Sequence, residues 1–145
     1  MAGSPVRTVG IVGAGLVGSA WAIVFARAGV NVRAFDASED IRRTTAARIR
    51  ASLEDMAKAG LVDNVDAICA RVTVVDELGA AAADADYVQE SVFERVEEKR
   101  AVSEAVGALI RDDAVVGSSS SGIPASAFTE HAPRRDPSRR CKPLC

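Results

Sequence analysis

Two rhythms of apolar and polar positions alternate along the chain. Val9, Ile11 and Val12 form a short apolar run that reads as a buried strand, and a turn then leads into an apolar stretch of helical length from Leu16. Asn31 to Phe35 repeats the strand signal. Ser38, followed by Glu39 and Asp40, predicts a capped helix with Ile41, Ile49, Leu53 and Met56 on one face and Gly60 as its stop. Its other face, with Arg48, Ser52, Asp55 and Lys58, reads as solvated surface. A brief helix around Val65 to Ala70, a strand from Arg71 to Val75 and a small alanine-rich helix from Glu77 to Asp84 follow. Tyr87 to Val92 is the fourth strand. Val96, Val102, Val106, Leu109 and Ile110 then mark the apolar side of a helix from Glu94 to Ile110. Ala114 to Gly117 predicts a fifth strand that runs into Ser118 to Ser121, and a short helix after Pro124 reaches about Thr129.

Strands that alternate with helices, without hairpin signals, imply an α/β fold with a doubly wound parallel sheet of the Rossmann type. Ligands on such a sheet gather at the carboxyl ends of its strands. Gly13 to Gly18, Asp36, Ser91 to Glu94 and Ser118 to Ser121 are all expected there. Residues 1–132 read as one domain and 133–145 as an irregular tail. The last fifteen residues hold three prolines and five basic residues without an apolar run. Such a tail is an ordinary disordered terminus or a contact for an anionic partner.

Bulk properties narrow the picture only a little. A chain of 145 residues suffices for one domain with its own core. The net charge of −2 and the 4% aromatic content suit a soluble α/β protein and give no reason to expect nucleic acid. No apolar run approaches the ~20 residues of a membrane span, and the first residues lack a signal core, so a cytoplasmic setting is expected. Cys69, Cys141 and Cys145 are odd in number and lack zinc spacing, so neither a disulfide framework nor a metal site is expected.

The chemistry is concentrated in the turn between the first strand and helix, GAGLVG. Gly13 lets the chain turn, Gly15 lets backbone approach a pyrophosphate, and Gly18 lets the helix lie close. The helix start, at Leu16 and Val17, then offers free N–H groups and the positive end of the dipole to phosphate. Asp36 ends the second strand 18 residues after Gly18, where such a unit delivers a carboxylate to the adenosine ribose. A glycine turn used only for packing is the alternative. Asp36 favours NAD over NADP because a 2′-phosphate would meet like charge there, although Arg42 and Arg43 leave a route to NADP.

Three motifs, VGIVGAGLVGSAWA, DYVQESVFERVEEK and GSSSSGIPAS, together resemble the 3-hydroxyacyl-CoA dehydrogenase family, in the branch that contains L-gulonate 3-dehydrogenase, the lambda-crystallin. Their order and spacing match the family's NAD-binding domain over about nine-tenths of the chain. The resemblance implies hydride transfer from the 3-carbon of a 3-hydroxy acid or 3-hydroxyacyl-CoA to NAD. It assigns Glu94 and Lys99 to ribose hydroxyls near the nicotinamide, Ser119 to the cofactor and Ser121 to the substrate oxygen beside the base. Read without it, Glu94 and Lys99 are equally a surface pair, and the four serines a flexible polar loop. Ser52 matches a serine that touches coenzyme A, but Ala59 stands where relatives have lysine, which leans the substrate toward a free 3-hydroxy acid.

The family's base is a histidine in a motif resembling H-P-x-N-P-P. The one histidine here, His131, precedes the expected strand and reads instead as a helix-end residue that meets terminal carbonyls. The resemblance therefore implies a cofactor domain cut short of its base, without the helical C-terminal domain that closes the cleft and makes the homodimer. A noncatalytic nucleotide-binding or structural protein, on the crystallin pattern, is the alternative.

Overall fold

A computed structural model describes residues 5–133. The expectations for the tail from residue 134 onward, including Cys141 and Cys145, lie outside the described residues. Strands β1 (Thr8–Val12), β2 (Asn31–Phe35), β3 (Val72–Val74), β4 (Tyr87–Glu90) and β5 (Val115–Ser118) form one sheet. Their order is β3-β2-β1-β4-β5 and every pairing is parallel, as the alternation of strands and helices requires.

Helices α1 (Leu16–Arg27), α2 (Glu39–Lys58) and α3 (Val65–Cys69) cover one face. Val9, Ile11, Val32, Ala34, Ile49 and Leu53 are packed beneath them at 0–1% exposure. Burial of each Val, Ile or Leu contributes about 1.5–3 kcal/mol. Helices α4 (Leu78–Ala82), α5 (Val96–Leu109) and α6 (Ser126–Thr129) lie on the other side, where Val12, Ala82, Ala85, Val88 and Val106 form the second half of the core. β1 serves both halves because its side chains alternate.

Element boundaries differ from expectation where side chains intervene. β4 ends at Glu90 rather than Val92: Ser91 N still bonds to Val12 O, and Val92 N then donates to the Glu90 carboxylate at 2.7 Å instead of to a neighbouring strand. β5 runs one residue further than expected, since Ser118 pairs with Glu90. The start of α2 is as expected, with Ser38 Oγ accepting from Ile41 N at 3.4 Å. Gly60, at φ 73°, follows its last turn.

Candidate functional site

The last rungs of four strands line up across the sheet: Phe35 pairs with Val12, Val12 with Glu90, and Glu90 with Ser118. One further row of bonds follows. Gly13 N donates to Phe35 O at 2.9 Å, Ser91 N to Val12 O at 2.8 Å, and Ser119 N to Glu90 O at 2.9 Å. Asp36, Gly13, Ser91 and Ser119 therefore stand side by side on the carboxyl crest of a sheet whose strand order reverses between β1 and β4. That reversal is where open α/β sheets bind ligands.

The glycine turn is shaped by backbone needs. Gly13 has φ 91°, and a Cβ there would lie 2.7 Å from the Ser91 backbone. A Cβ on Gly18 would lie 1.8 Å from the Gly13 carbonyl, so the close approach is to the turn itself as well as to Ile11. Gly15 differs, because a Cβ there meets no protein atom within 4 Å. Its lack of a side chain leaves open space against backbone on that side of the turn. α1 starts at Gly15 with no side-chain cap and no acid in its first turn, so its terminal N–H groups and dipole face that space. Leu16 and Val17, 80% and 53% exposed, form that first turn.

The peptide of Ala14 is held from both sides. Its N–H donates to Asp36 Oδ2 at 2.8 Å. Its carbonyl accepts from Ser19 Oγ at 3.1 Å, Thr45 Oγ1 at 3.3 Å and Arg48 Nη1 at 3.0 Å. Arg48 therefore does not lie on a merely solvated face, as the helix pattern suggests; its guanidinium crosses to the turn and also reaches Ser19 Oγ. Asp36 further accepts from Ser38 N at 2.9 Å through Oδ1. Each oxygen keeps acceptor capacity for another donor. Arg42 donates to the carbonyls of Asp36 and Ala37, at 2.7 and 3.3 Å, and Arg43 pairs with Asp40. Nη1 of Arg42 and the exposed Arg43 thus have partners within the protein, while Arg42 Nε is buried without a hydrogen-bond partner among the described residues.

The serine loop is anchored at several points. Glu94, exposed, accepts from Ser121 N at 2.8 Å and Gly122 N at 2.6 Å, with Ser121 Oγ at 3.3 Å. These bonds hold its carboxyl below the usual carboxylate range, the backbone bond from Gly122 first. The structure thus brings Glu94 and Ser121 together. Ser119 Oγ meets Trp21 Nε1 at 3.1 Å, Gln89 Nε2 at 2.9 Å and Ser91 Oγ at 2.9 Å. A loosely held polar loop is not what these contacts describe.

Lys99 departs from its reading as a surface partner of Glu94. It is 1% exposed, and it pairs with Glu90, itself 4% exposed, rather than with Glu94 at the surface. Its ammonium donates to both Glu90 oxygens, at 2.9 and 3.0 Å, and lies 3.4 Å from Val92 O. Three protons face three oxygens. Ser118 Oγ completes the shell, donating to Glu90 Oε2 at 2.5 Å. A buried pair of this kind costs desolvation and persists only when its remaining valences are satisfied, as they are here. His131 is exposed two residues beyond α6 and bonds to no carbonyl of the described residues, so its expected capping role is not seen. It is the Ala132 N–H that reaches back to Thr129 O, at 3.1 Å.

The chain is similar to known proteins. The family model for the 3-hydroxyacyl-CoA dehydrogenase NAD binding domain matches residues 8–140. The L-carnitine dehydrogenase of Streptomyces coelicolor is 35% identical over 134 residues, 92% of this chain and 41% of that protein. The 3-hydroxyacyl-CoA dehydrogenase of Gibberella moniliformis is 31% identical, covering 86% of this chain and 38% of its own. The crystal structure of FadB2 from M. tuberculosis superposes with a TM-score of 0.85 at 31% identity, over 90% of this chain and 47% of that one. The chain spans about 40% of the length of these curated relatives.

Proposed function

The chain belongs to the 3-hydroxyacyl-CoA dehydrogenase family, through that family's NAD-binding domain, and on this premise we propose that it holds the dinucleotide for oxidation of a 3-hydroxyl group. The observation that carries the proposal is the uncapped start of α1 behind an open Gly15, beside a carboxylate that ends β2. Residues 1–132 form the cofactor domain in this reading. The N–H groups around Leu16, Val17 and Gly18 take the pyrophosphate, with Gly13 setting the turn and Gly15 leaving room. Asp36 takes the adenosine ribose hydroxyls through its unspent lone pairs. The Asp36 carboxylate supports NAD over NADP, because a 2′-phosphate there would meet like charge.

Bound NAD+ supplies the hydride acceptor. This chain's residues position and polarise around it. Glu94 accepts from a ribose hydroxyl while holding Ser121 through its backbone N–H, and Ser121 Oγ turns its proton from Glu94 to the substrate oxygen. Ser119, expected on the cofactor, serves the nicotinamide side indirectly, since its hydroxyl is bonded to Trp21, Gln89 and Ser91. Lys99 enters indirectly, by neutralising Glu90 beneath the loop, which amends its expected direct contact. The base is a histidine that the family resemblance places outside these 145 residues, so the chain alone binds cofactor without turnover. A cytoplasmic setting and a homodimer built through the remainder of the relatives' length complete the proposal.

The substrate class proposed is a free 3-hydroxy acid before a 3-hydroxyacyl-CoA. Ala59 in place of the family's lysine supports this, as does the name L-carnitine dehydrogenase on similar proteins, carnitine being a free 3-hydroxy acid. Titration of NADH into the purified chain tests the cofactor reading. Trp21 is the only tryptophan, so energy transfer from it to the nicotinamide is the readout. Saturable micromolar binding with much weaker NADPH binding is expected, and indifference to NADH overturns the reading. Turnover of L-carnitine, L-gulonate or 3-hydroxybutyryl-CoA by the chain alone would overturn the inactivity.

A further inference from the structure

Ser119 Oγ has two lone pairs and one proton, and three partners. Trp21 Nε1 can only donate. Gln89 Nε2 also can only donate, and the amide is oriented by Tyr87, whose hydroxyl donates to Gln89 Oε1 at 2.7 Å. Both lone pairs of Ser119 are therefore taken, and its proton goes to Ser91 Oγ. Ser91 accepts that bond, which leaves its own proton committed to no described residue. The Ser91 backbone passes directly behind Gly13, one step beyond β4. With Asp36 marking the adenosine end and α1 the pyrophosphate, Ser91 stands toward the other half of the dinucleotide.

We propose that Ser91 is a further cofactor-contacting residue, whose hydroxyl donates to an oxygen of the nicotinamide nucleoside, beyond the bound pyrophosphate, and that Trp21 and Gln89 are positioning residues that fix the direction of that donation. This rests on the dinucleotide reading above. The indole N–H and the amide act at a distance from the cofactor: they fill the acceptor sites of Ser119 and so turn Ser91 outward as a donor. Trp21 is itself fixed by stacking on Phe25, with ring centroids 5.8 Å apart, and Phe25 meets Tyr87 at 5.7 Å. One aromatic row thus carries both donors that set the polarity.

The test is a double-mutant cycle on the full chain, with NADH binding followed by calorimetry. Ser91→Ala raises the NADH dissociation constant about fivefold, the loss of one hydrogen bond. It leaves binding of ADP, which lacks the second ribose and nicotinamide, unchanged. Trp21→Phe keeps the ring and removes the N–H, and weakens NADH about two- to threefold alone but not at all in the Ser91→Ala background. Should Trp21→Phe lower the melting temperature, Gln89→Glu gives the same cycle by drawing the Ser119 proton away from Ser91. Unchanged NADH affinity in Ser91→Ala, an equal loss for ADP, or effects that simply multiply would each overturn the assignment while wild-type binding still stands. Wild-type chain that ignores NADH would overturn the dinucleotide reading, and this one with it.

Discussion

The two edges of the sheet treat backbone donors in opposite ways. At the amino edge, Asp86 accepts from Arg7 N at 2.8 Å, Thr8 N at 3.0 Å and Arg111 Nη2 at 2.7 Å, so the starts of β1 and β4 are tied by one carboxylate. At the carboxyl crest, α1 begins without a side-chain acceptor at all. The five-residue α4 and the longer α5 also start without a side-chain cap, α5 with Glu97 and Glu98 in its first turn, so α1 is set apart by its open Gly15 and the neighbouring Asp36 as well as by the missing cap. α2, which starts after the next strand, is closed by Ser38 and carries Glu39 and Asp40 in its first turn. Closed ends serve stability, whereas the open end of α1 leaves stabilisation of its N–H groups to a ligand.

The largest test of this contrast is Gly13→Ala. It forces a side chain into φ 91° and against the Ser91 backbone, and it should cost several kcal/mol and abolish NADH binding together, as read by urea melts and calorimetry. Gly15→Asp separates the two effects. Gly15 faces open space at an ordinary φ of −68°, so an acid there closes α1 as Ser38 closes α2. Stability should hold or rise by about 0.5–1 kcal/mol, while NADH affinity falls more than about a hundredfold from lost space and like charge. A melting temperature that drops with binding intact would reverse the argument.

Asp86→Asn probes the closed edge. The Asp86 carboxyl is lowered to about 2, by Arg111 first and then by the N–H groups of Arg7 and Thr8. A depressed carboxyl contributes stability above its unfolded value and loses it as pH falls toward the folded one. The variant should be less stable than wild type by about 1 kcal/mol at pH 7, after solvent screening, and the gap should close between pH 4 and pH 2. NADH affinity at pH 7 should not move. Ser38→Ala is the smallest change, costing about 0.5–1 kcal/mol through the lost cap, with NADH affinity within twofold of wild type.

The order of elements and the crest were legible in the sequence because both are local signals: apolar periodicity, a capping serine, and three glycines followed by an acid. What escaped are contacts between polar residues distant in the chain. Lys99 lies three and seven residues before Val102 and Val106, on the apolar stripe of α5, and that placement was a readable sign of burial. Glu90, in a strand otherwise buried, was its readable counterpart. Arg48 likewise stands seven residues after Ile41, at the margin of the buried face of α2. Nothing along the sequence ties Trp21 to Ser119, 98 residues away, because only the fold brings α1 over the end of β5.

The clamped peptide of Ala14 has a kinetic consequence. With its N–H and carbonyl already bound by Asp36, Ser19, Thr45 and Arg48, the turn has no slack to lose when an anion arrives. Capture of the dinucleotide by this turn should therefore be a single fast step at the pace of encounter, and discrimination among nucleotides should reside in how quickly each one leaves.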